Sequence, residues 1–250
     1  MEKLMKKKIL IISNPGDERA GNYCEGVHKD VENYKKFFTS SLGGNWYYSE
    51  IEWMEKPDKA TVRRKLADMK KLDFSIIIFT GHGYSQHSET YVELNPSGRQ
   101  DISVEEFKEI TQKRIIIADC CRKEWYPVSE INEGYIAHIE KSYSQFNNTR
   151  EIYEELVSEM DVMNIVMYGC DIGETSGDDS RKGGYYTQSL LKACYNFQDK
   201  YKNESKSYYL SCAIAHEQAK KLVVKLKSDQ NPQIEKPRSG DYFPLAIIVN

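Results

Sequence analysis

The chain has 250 residues, 40% apolar and 29% charged, with a formal net charge of −3, which is the composition of an ordinary globular protein and not of a disordered one. That balance leaves no electrostatic footprint for nucleic acid, and the basic start Lys6-Lys7-Lys8 is too short to serve as a binding arm. No apolar run reaches signal-peptide or membrane-spanning length, so a cytoplasmic protein with neither a nucleic-acid nor a membrane partner is expected.

A chain of this length supports one α/β domain, 1–250, with a full core. The six cysteines, Cys24, Cys120, Cys121, Cys170, Cys194 and Cys212, form no paired C-x-x-C set, so free thiols are expected rather than a zinc site or a disulfide framework.

In chain order, Lys8 to Ser13 reads as a buried strand closed by Asn14-Pro15-Gly16. Val27, Val31, Tyr34, Phe37 and Phe38 recur at helical spacing until Gly43-Gly44. Trp46 to Met54 alternates like a strand, Pro57-Asp58 opens a helix to about Lys71, and Phe74 to Phe79 is a continuous apolar strand. This β-α-β-α-β order implies a parallel sheet. Tyr91 to Leu94 predicts one arm of a small hairpin, and Ser103 caps a short helix carrying Val104, Phe107 and Ile110. Arg114 to Ala118 is the next strand. From Arg122 to about Asn148 no period is visible, and a long functional loop is expected there. A helix around Thr149 to Met160, a strand Ile165 to Tyr168, helices over Gly184 to Tyr201 and Ser207 to Lys227, and a last strand Tyr242 to Val249 complete about six core strands.

Two strands deliver reactive side chains to the same edge. Phe74 to Phe79 leads into Thr80-Gly81-His82-Gly83, and Arg114 to Ala118 leads into Asp119-Cys120-Cys121. In open α/β sheets the carboxyl ends of the strands form the ligand-binding edge. A cysteine nucleophile needs a base that favours its thiolate, and imidazole suits that task. His82 and Cys121 are therefore the candidate catalytic pair. Strand alternation turns Cys120 into the core and Cys121 outward. Gly83 and the amide of Cys121 are the candidate oxyanion donors. The remaining histidines, His28, His87, His138 and His216, read as surface or packing residues, and none forms a metal triad with carboxylates.

These segments resemble the caspase-like cysteine peptidases, including the metacaspases and their bacterial relatives. Phe79-Thr80-Gly81-His82-Gly83 is similar to the family's histidine motif, and Asp119-Cys120-Cys121-Arg122 to its Asp-x-Cys motif. Cys24-Glu25-Gly26-Val27-His28-Lys29-Asp30, Gly173-Glu174-Thr175-Ser176, Gly183-Gly184-Tyr185-Tyr186-Thr187 and Asn231-Pro232-Gln233 extend the similarity over nearly the whole chain. Lys123 stands where the caspase signature has glycine.

The resemblance implies a three-layer αβα sandwich with a mostly parallel sheet of about six strands. It also implies a cysteine endopeptidase acting on protein or peptide substrates in regulated proteolysis, cell death or phage defence. Asp119 is placed as in the metacaspases, where acidic pockets select basic side chains, so cleavage after Arg or Lys is expected. Asp171 and Glu174 are candidates for a second carboxylate, and Thr80 belongs with the substrate-binding residues. Arg19-Ala20-Gly21 is similar to a caspase segment that binds aspartate, which keeps an acid-preferring pocket open, and the missing glycine keeps a catalytically inactive binding scaffold open. Self-cleavage is expected at Arg122, Lys123, Lys141 or Arg150. No resident cofactor or metal is expected; calcium at Asp178-Asp179 and Asp101 is the alternative. Monomer and dimer are both open.

Overall fold

Strands buried on both faces need apolar side chains at every position, because helices cover both sides of a parallel sheet. The run Ile9-Leu10-Ile11-Ile12 meets that demand, with all four side chains fully buried. The structure is a computed structural model that describes residues 5–97, 100–123 and 149–250.

The chain begins with β1 (Lys7–Asn14), α1 (Gly26–Thr39), β2 (Ile51–Glu55), α2 (Lys59–Met69) and β3 (Phe74–Gly81). Next come the short strands β4 (Gly83–Gln86), β5 (Glu89–Glu93) and β6 (Asp101–Ser103), then α3 (Val104–Phe107) and β7 (Lys113–Cys120). After the segment 124–148, α4 (Thr149–Glu159), β8 (Asn164–Tyr168), β9 (Asp178–Asp179), β10 (Gly183–Gly184) and α5 (Tyr185–Tyr201) follow. The chain closes with β11 (Tyr208–Ser211), α6 (Cys212–Leu226), β12 (Gln233–Glu235) and β13 (Pro244–Ile248).

The central sheet has the order β12-β8-β7-β3-β1-β2, parallel except for β12, which runs antiparallel to β8. Alternation along β1 assigns its two faces. Ile9 and Ile11 join a core with Tyr34 and Phe38 of α1, Tyr153 of α4, Leu190 of α5 and Ala219 of α6. Leu10 and Ile12 face Val62 and Leu66 of α2, Phe107 of α3, and Val92 of the three-stranded sheet β4-β5-β6. The result is an αβα sandwich with about six strands at its centre, as the sequence implied.

Several boundaries differ from expectation: the strand expected from Trp46 begins at Ile51, and the short helix expected to carry Ile110 ends at Phe107. The sixth strand of the main sheet is Gln233–Glu235, whereas Pro244–Ile248 pairs antiparallel with Tyr208–Ser211 as a separate ribbon. The helix expected from Ser207 starts at Cys212, because Tyr208, Tyr209 and Leu210 are taken up in that ribbon and Ser211 caps the helix by accepting from the Ile214 amide. The loop expected over 122–148 lies, from residue 124 onward, outside the described residues.

Candidate active site

Register brings the two motifs together. β3 and β7 are parallel neighbours in which Thr80 faces Asp119 and Gly81 faces Cys120. His82 and Cys121 are the next residue on each strand, so they leave the sheet side by side at its carboxyl edge. Cys120 is fully buried and closes on Gly83, where an added Cβ would lie 2.7 Å from the Cys120 sulfur. Cys121 is only partly buried and its thiol donates to the Ser176 carbonyl at 3.7 Å.

The loop between β1 and α1 fixes His82 from the other side. Nε2 lies 2.7 Å from the Asn22 carbonyl oxygen and 3.8 Å from the sulfur of Cys24. A carbonyl only accepts, so Nε2 carries the proton and Nδ1 keeps the lone pair. Among the described residues His82 and Cys121 share no hydrogen bond, a separation in keeping with a dyad that closes only around substrate. Burial and the charge of Asp119 push the Cys121 thiol above its ordinary range. Burial likewise pushes the Cys24 thiol up to about 11. Glu93, half-buried on β5, is also raised, mainly by its burial.

Asp119 lies two residues before Cys121 and is buried. It accepts from the Ser176 hydroxyl at 2.6 Å, the Thr187 amide at 3.0 Å and the Thr187 hydroxyl at 2.8 Å. Its neighbour is Asp30 of α1, also buried, which accepts from the Thr80 hydroxyl at 2.6 Å and the Gly184 amide at 2.8 Å. The two carboxylates converge on Gly184: a Cβ there would sit 2.5 Å from Asp119 Oδ2 and 3.1 Å from Asp30 Oδ2. Burial and mutual repulsion raise the Asp30 carboxyl well above the usual carboxylate range, and burial raises Asp119 as well. Among the described residues no Lys or Arg pairs with either one.

This arrangement redistributes the expected binding residues. Thr80 stands beside Asp119 in register but spends its hydroxyl on Asp30. Glu174 does not face Asp119: its two carboxylate oxygens accept from the Asn231 amide and side chain, each at 2.6 Å. Asp171 accepts from the Gln233 side chain at 3.0 Å. Both hold the start of β12 and the residues before it, and the carboxylate that lies beside Asp119 is that of Asp30. Arg19 is exposed on a short 3-10 turn. An open cleft of about 460 Å³ is lined by Glu18, Gly21, Tyr23, Glu25, Asp178 and Ser180, and by neither His82 nor Cys121; its charged lining is acidic.

Other candidates take structural places. Asp178 accepts from the Gly26 amide, Asp179 from the amides of Arg181 and Lys182, and Asp101 from the Tyr84 hydroxyl. Among the described residues no group of three or more His, Cys, Asp and Glu side chains is arranged to hold a metal. His216 is buried against the Tyr186 hydroxyl, and its burial depresses it to about 3. His28 meets the Tyr23 hydroxyl. His87 occupies the β4–β5 turn with φ +52°, and His138 lies outside the described residues.

A family model described as the caspase domain matches residues 6–243. The chain belongs to the caspase-domain family. Membership makes this a cysteine-type peptidase domain, and the six-stranded αβα sandwich is the caspase fold. No curated protein sequence matches this caspase-domain chain significantly. No helix among the described residues is long and apolar enough to cross a membrane.

Proposed function

We propose that this caspase-domain protein is an endopeptidase in which His82 and Cys121 form the dyad and which cleaves after Arg or Lys. The observation that carries the specificity is the buried pair Asp30 and Asp119, converging on Gly184 with no cationic partner among the described residues. Two carboxylates held together out of water are costly unless a cation joins them. A substrate guanidinium or ammonium supplies that cation, with Arg able to engage both by its planar fork. The acidic lining of the open cleft points the same way.

Catalysis follows from the tautomer. With Nε2 donating to Asn22, Nδ1 of His82 takes the proton of the Cys121 thiol. The thiolate attacks the substrate carbonyl carbon, and the amides of Gly83 and Cys121 receive the developing oxyanion. His82 then returns its proton to the leaving amine, and water, deprotonated by the same imidazole, releases the acyl group from sulfur. The substrates are proteins or peptides, and the setting is regulated proteolysis.

Fluorogenic peptides ending in Arg, Lys or Asp test the reading. Turnover of the Arg and Lys peptides, lost in Cys121→Ala and kept in Cys120→Ala, is the expected result. Turnover of the Asp peptide alone would reverse the specificity. No turnover, together with no labelling of Cys121 by a cysteine-directed peptide inhibitor, would favour a binding scaffold.

A further inference from the structure

Ser176 touches the nucleophile and the carboxylate pair at once. Its main-chain oxygen accepts from the Cys121 thiol at 3.7 Å, and its hydroxyl donates to Asp119 Oδ1 at 2.6 Å. The fully buried Gln230 holds this connection in place. Its Nε2 donates to the Ser176 hydroxyl at 3.1 Å and to the Gly169 carbonyl at 2.7 Å, and its Oε1 accepts from the Gly177 amide at 3.0 Å. One residue thus carries the proton-holding contact of the thiol on its backbone and the pocket contact on its side chain.

We propose that Ser176 is a positioning residue that makes Cys121 more reactive when a cation occupies the Asp30–Asp119 pocket. The inference rests on the reading of that pocket as the site for a basic side chain. In the structure the Ser176 hydroxyl is the donor on Asp119 Oδ1 and the Ser176 carbonyl holds the thiol proton, a bond that favours the unreactive thiol over the thiolate. An incoming guanidinium competes for the lone pairs of Asp119. Because Gln230 grips the segment at Gly169 and Gly177, displacement of the hydroxyl is carried into the Ser176 peptide. The thiol proton is released to Nδ1 of His82, so the proton moves from sulfur to imidazole and no other reactant is needed.

The charges around Cys121 bear on the same step. Asp119 and Glu93 oppose the thiolate, whereas Lys227 favours it. Cys24 stands beside His82 on the far side. A cation on Asp119 cancels the nearest opposing charge, and Ser176 adds the mechanical connection.

The test is alkylation of Cys121 by iodoacetamide, followed by peptide mapping, in the full-length protein with and without methylguanidinium. Methylurea is the neutral control, and calorimetry measures binding of both. In the wild type, saturating methylguanidinium is expected to speed alkylation about tenfold, the effect of one unit of thiol pKa, while methylurea does nothing. Ser176→Ala, which keeps the carbonyl but lacks the hydroxyl, is expected to lose most of that acceleration while still binding the ion, and Ser176→Thr to keep it. If the alanine variant folds poorly, Ser176→Thr against Ser176→Val gives the same comparison between side chains of equal shape. Bound methylguanidinium that leaves alkylation unchanged overturns the coupling alone. Equal acceleration with and without the hydroxyl also overturns it. Absence of methylguanidinium binding overturns the basic-pocket reading, and the coupling with it.

Discussion

The imidazole of His82 is held by the main-chain oxygen of Asn22, 2.7 Å from Nε2. The loop that presents this oxygen is itself tied at several points. Asn22 Oδ1 accepts from the Asp17 amide, Asn14 Oδ1 accepts from the Gly16 amide, and the Cys24 amide donates to the Pro15 carbonyl. The imidazole proposed as base is therefore oriented by backbone, which ties the fold of residues 14–24 to the proposed chemistry.

Gly16→Ala is expected to damage catalysis through that loop. Gly16 has φ +88°, and a Cβ would come within 2.4 Å of the Asn22 oxygen and 2.6 Å of His82 Nε2. Both the left-handed backbone and the close approach exclude a side chain without a shift of the loop. A misplaced base costs on the order of 100-fold in kcat. Steady-state kinetics on an Arg peptide should show kcat falling with KM little changed, and a wild-type kcat would remove the Asn22 contact from the mechanism.

The shared edge of His82 and Cys121 was readable in the sequence because both sit directly after apolar strands, and β3 and β7 are indeed neighbours. The Asn22 contact was not, since a main-chain carbonyl leaves no signature in residue types. Asp30 lies between these cases. Its spacing from Val27 and Tyr34 puts a carboxylate on the buried face of α1, and an acid in that position is a local conflict that marks a functional site. Asp171 and Glu174 follow a core strand, and the structure engages their carboxylates with Asn231 and Gln233. The swap of the final strands was also hidden, because Pro244–Ile248 is fully apolar while Gln233–Glu235, which joins the sheet, is short and polar.

Cys24 offers a competing thiol, and its chemistry decides against it. It approaches His82 Nε2 to 3.8 Å, but that nitrogen is the protonated one and takes no proton from it. With its thiol pushed up to about 11, Cys24 stays protonated near neutral pH. Cys24→Ser is expected to retain activity within about threefold, a change of less than 1 kcal/mol in the barrier, whereas Cys121→Ser loses nearly all of it. Comparing kcat/KM of the two variants on one basic peptide checks this. Greater loss at Cys24 would move the nucleophile to that residue.

Burial narrows the expected self-cleavage sites. Arg122 is buried with its guanidinium 3.8 Å over the Tyr168 ring and bonded to Thr90 and the Cys170 carbonyl. Arg150, also buried, grips Glu50 with two bonds of 2.8 and 2.7 Å and pairs with Glu154 at 2.9 Å. Neither can enter an active site while the protein is folded. Lys123 is exposed, and Lys141 lies outside the described residues. New termini mapped after incubation of the purified protein are expected at or beyond Lys123 and not after Arg122 or Arg150. Arg150→Gln should instead destabilise the fold by about 3 kcal/mol, because it leaves Glu50 and Glu154 short of a buried partner. Denaturant titration reads that loss.

The pair Asp30 and Asp119 sets a trade between stability and binding that pH should expose. Both carboxyls are raised in the folded protein above their ordinary value, chiefly by burial. In the pH range just above that ordinary value, the folded chain holds protons that the unfolded chain has released. Stability then falls as pH rises through the folded values and is regained on acidification. The opposite sign applies to Glu50, which Arg150 holds below its ordinary value despite its burial, so its contribution is lost only at lower pH. The ligand-free protein should therefore be most stable on the acid side of neutrality. Asp119→Asn removes one of the two charges while Ser176 can turn its hydroxyl to accept from the new amide. It is expected to raise Tm at neutral pH by roughly 2–4 °C, about 1 kcal/mol for a chain of this size. The same variant should flatten the acid-side gain in Tm and lower kcat/KM on Arg peptides by on the order of 100-fold or more, since it takes away a buried charge partner. Thermal unfolding at a series of pH values, with parallel kinetics, measures both. A variant that loses stability at neutral pH would mean that the two aspartates hold the fold together rather than wait for a cation.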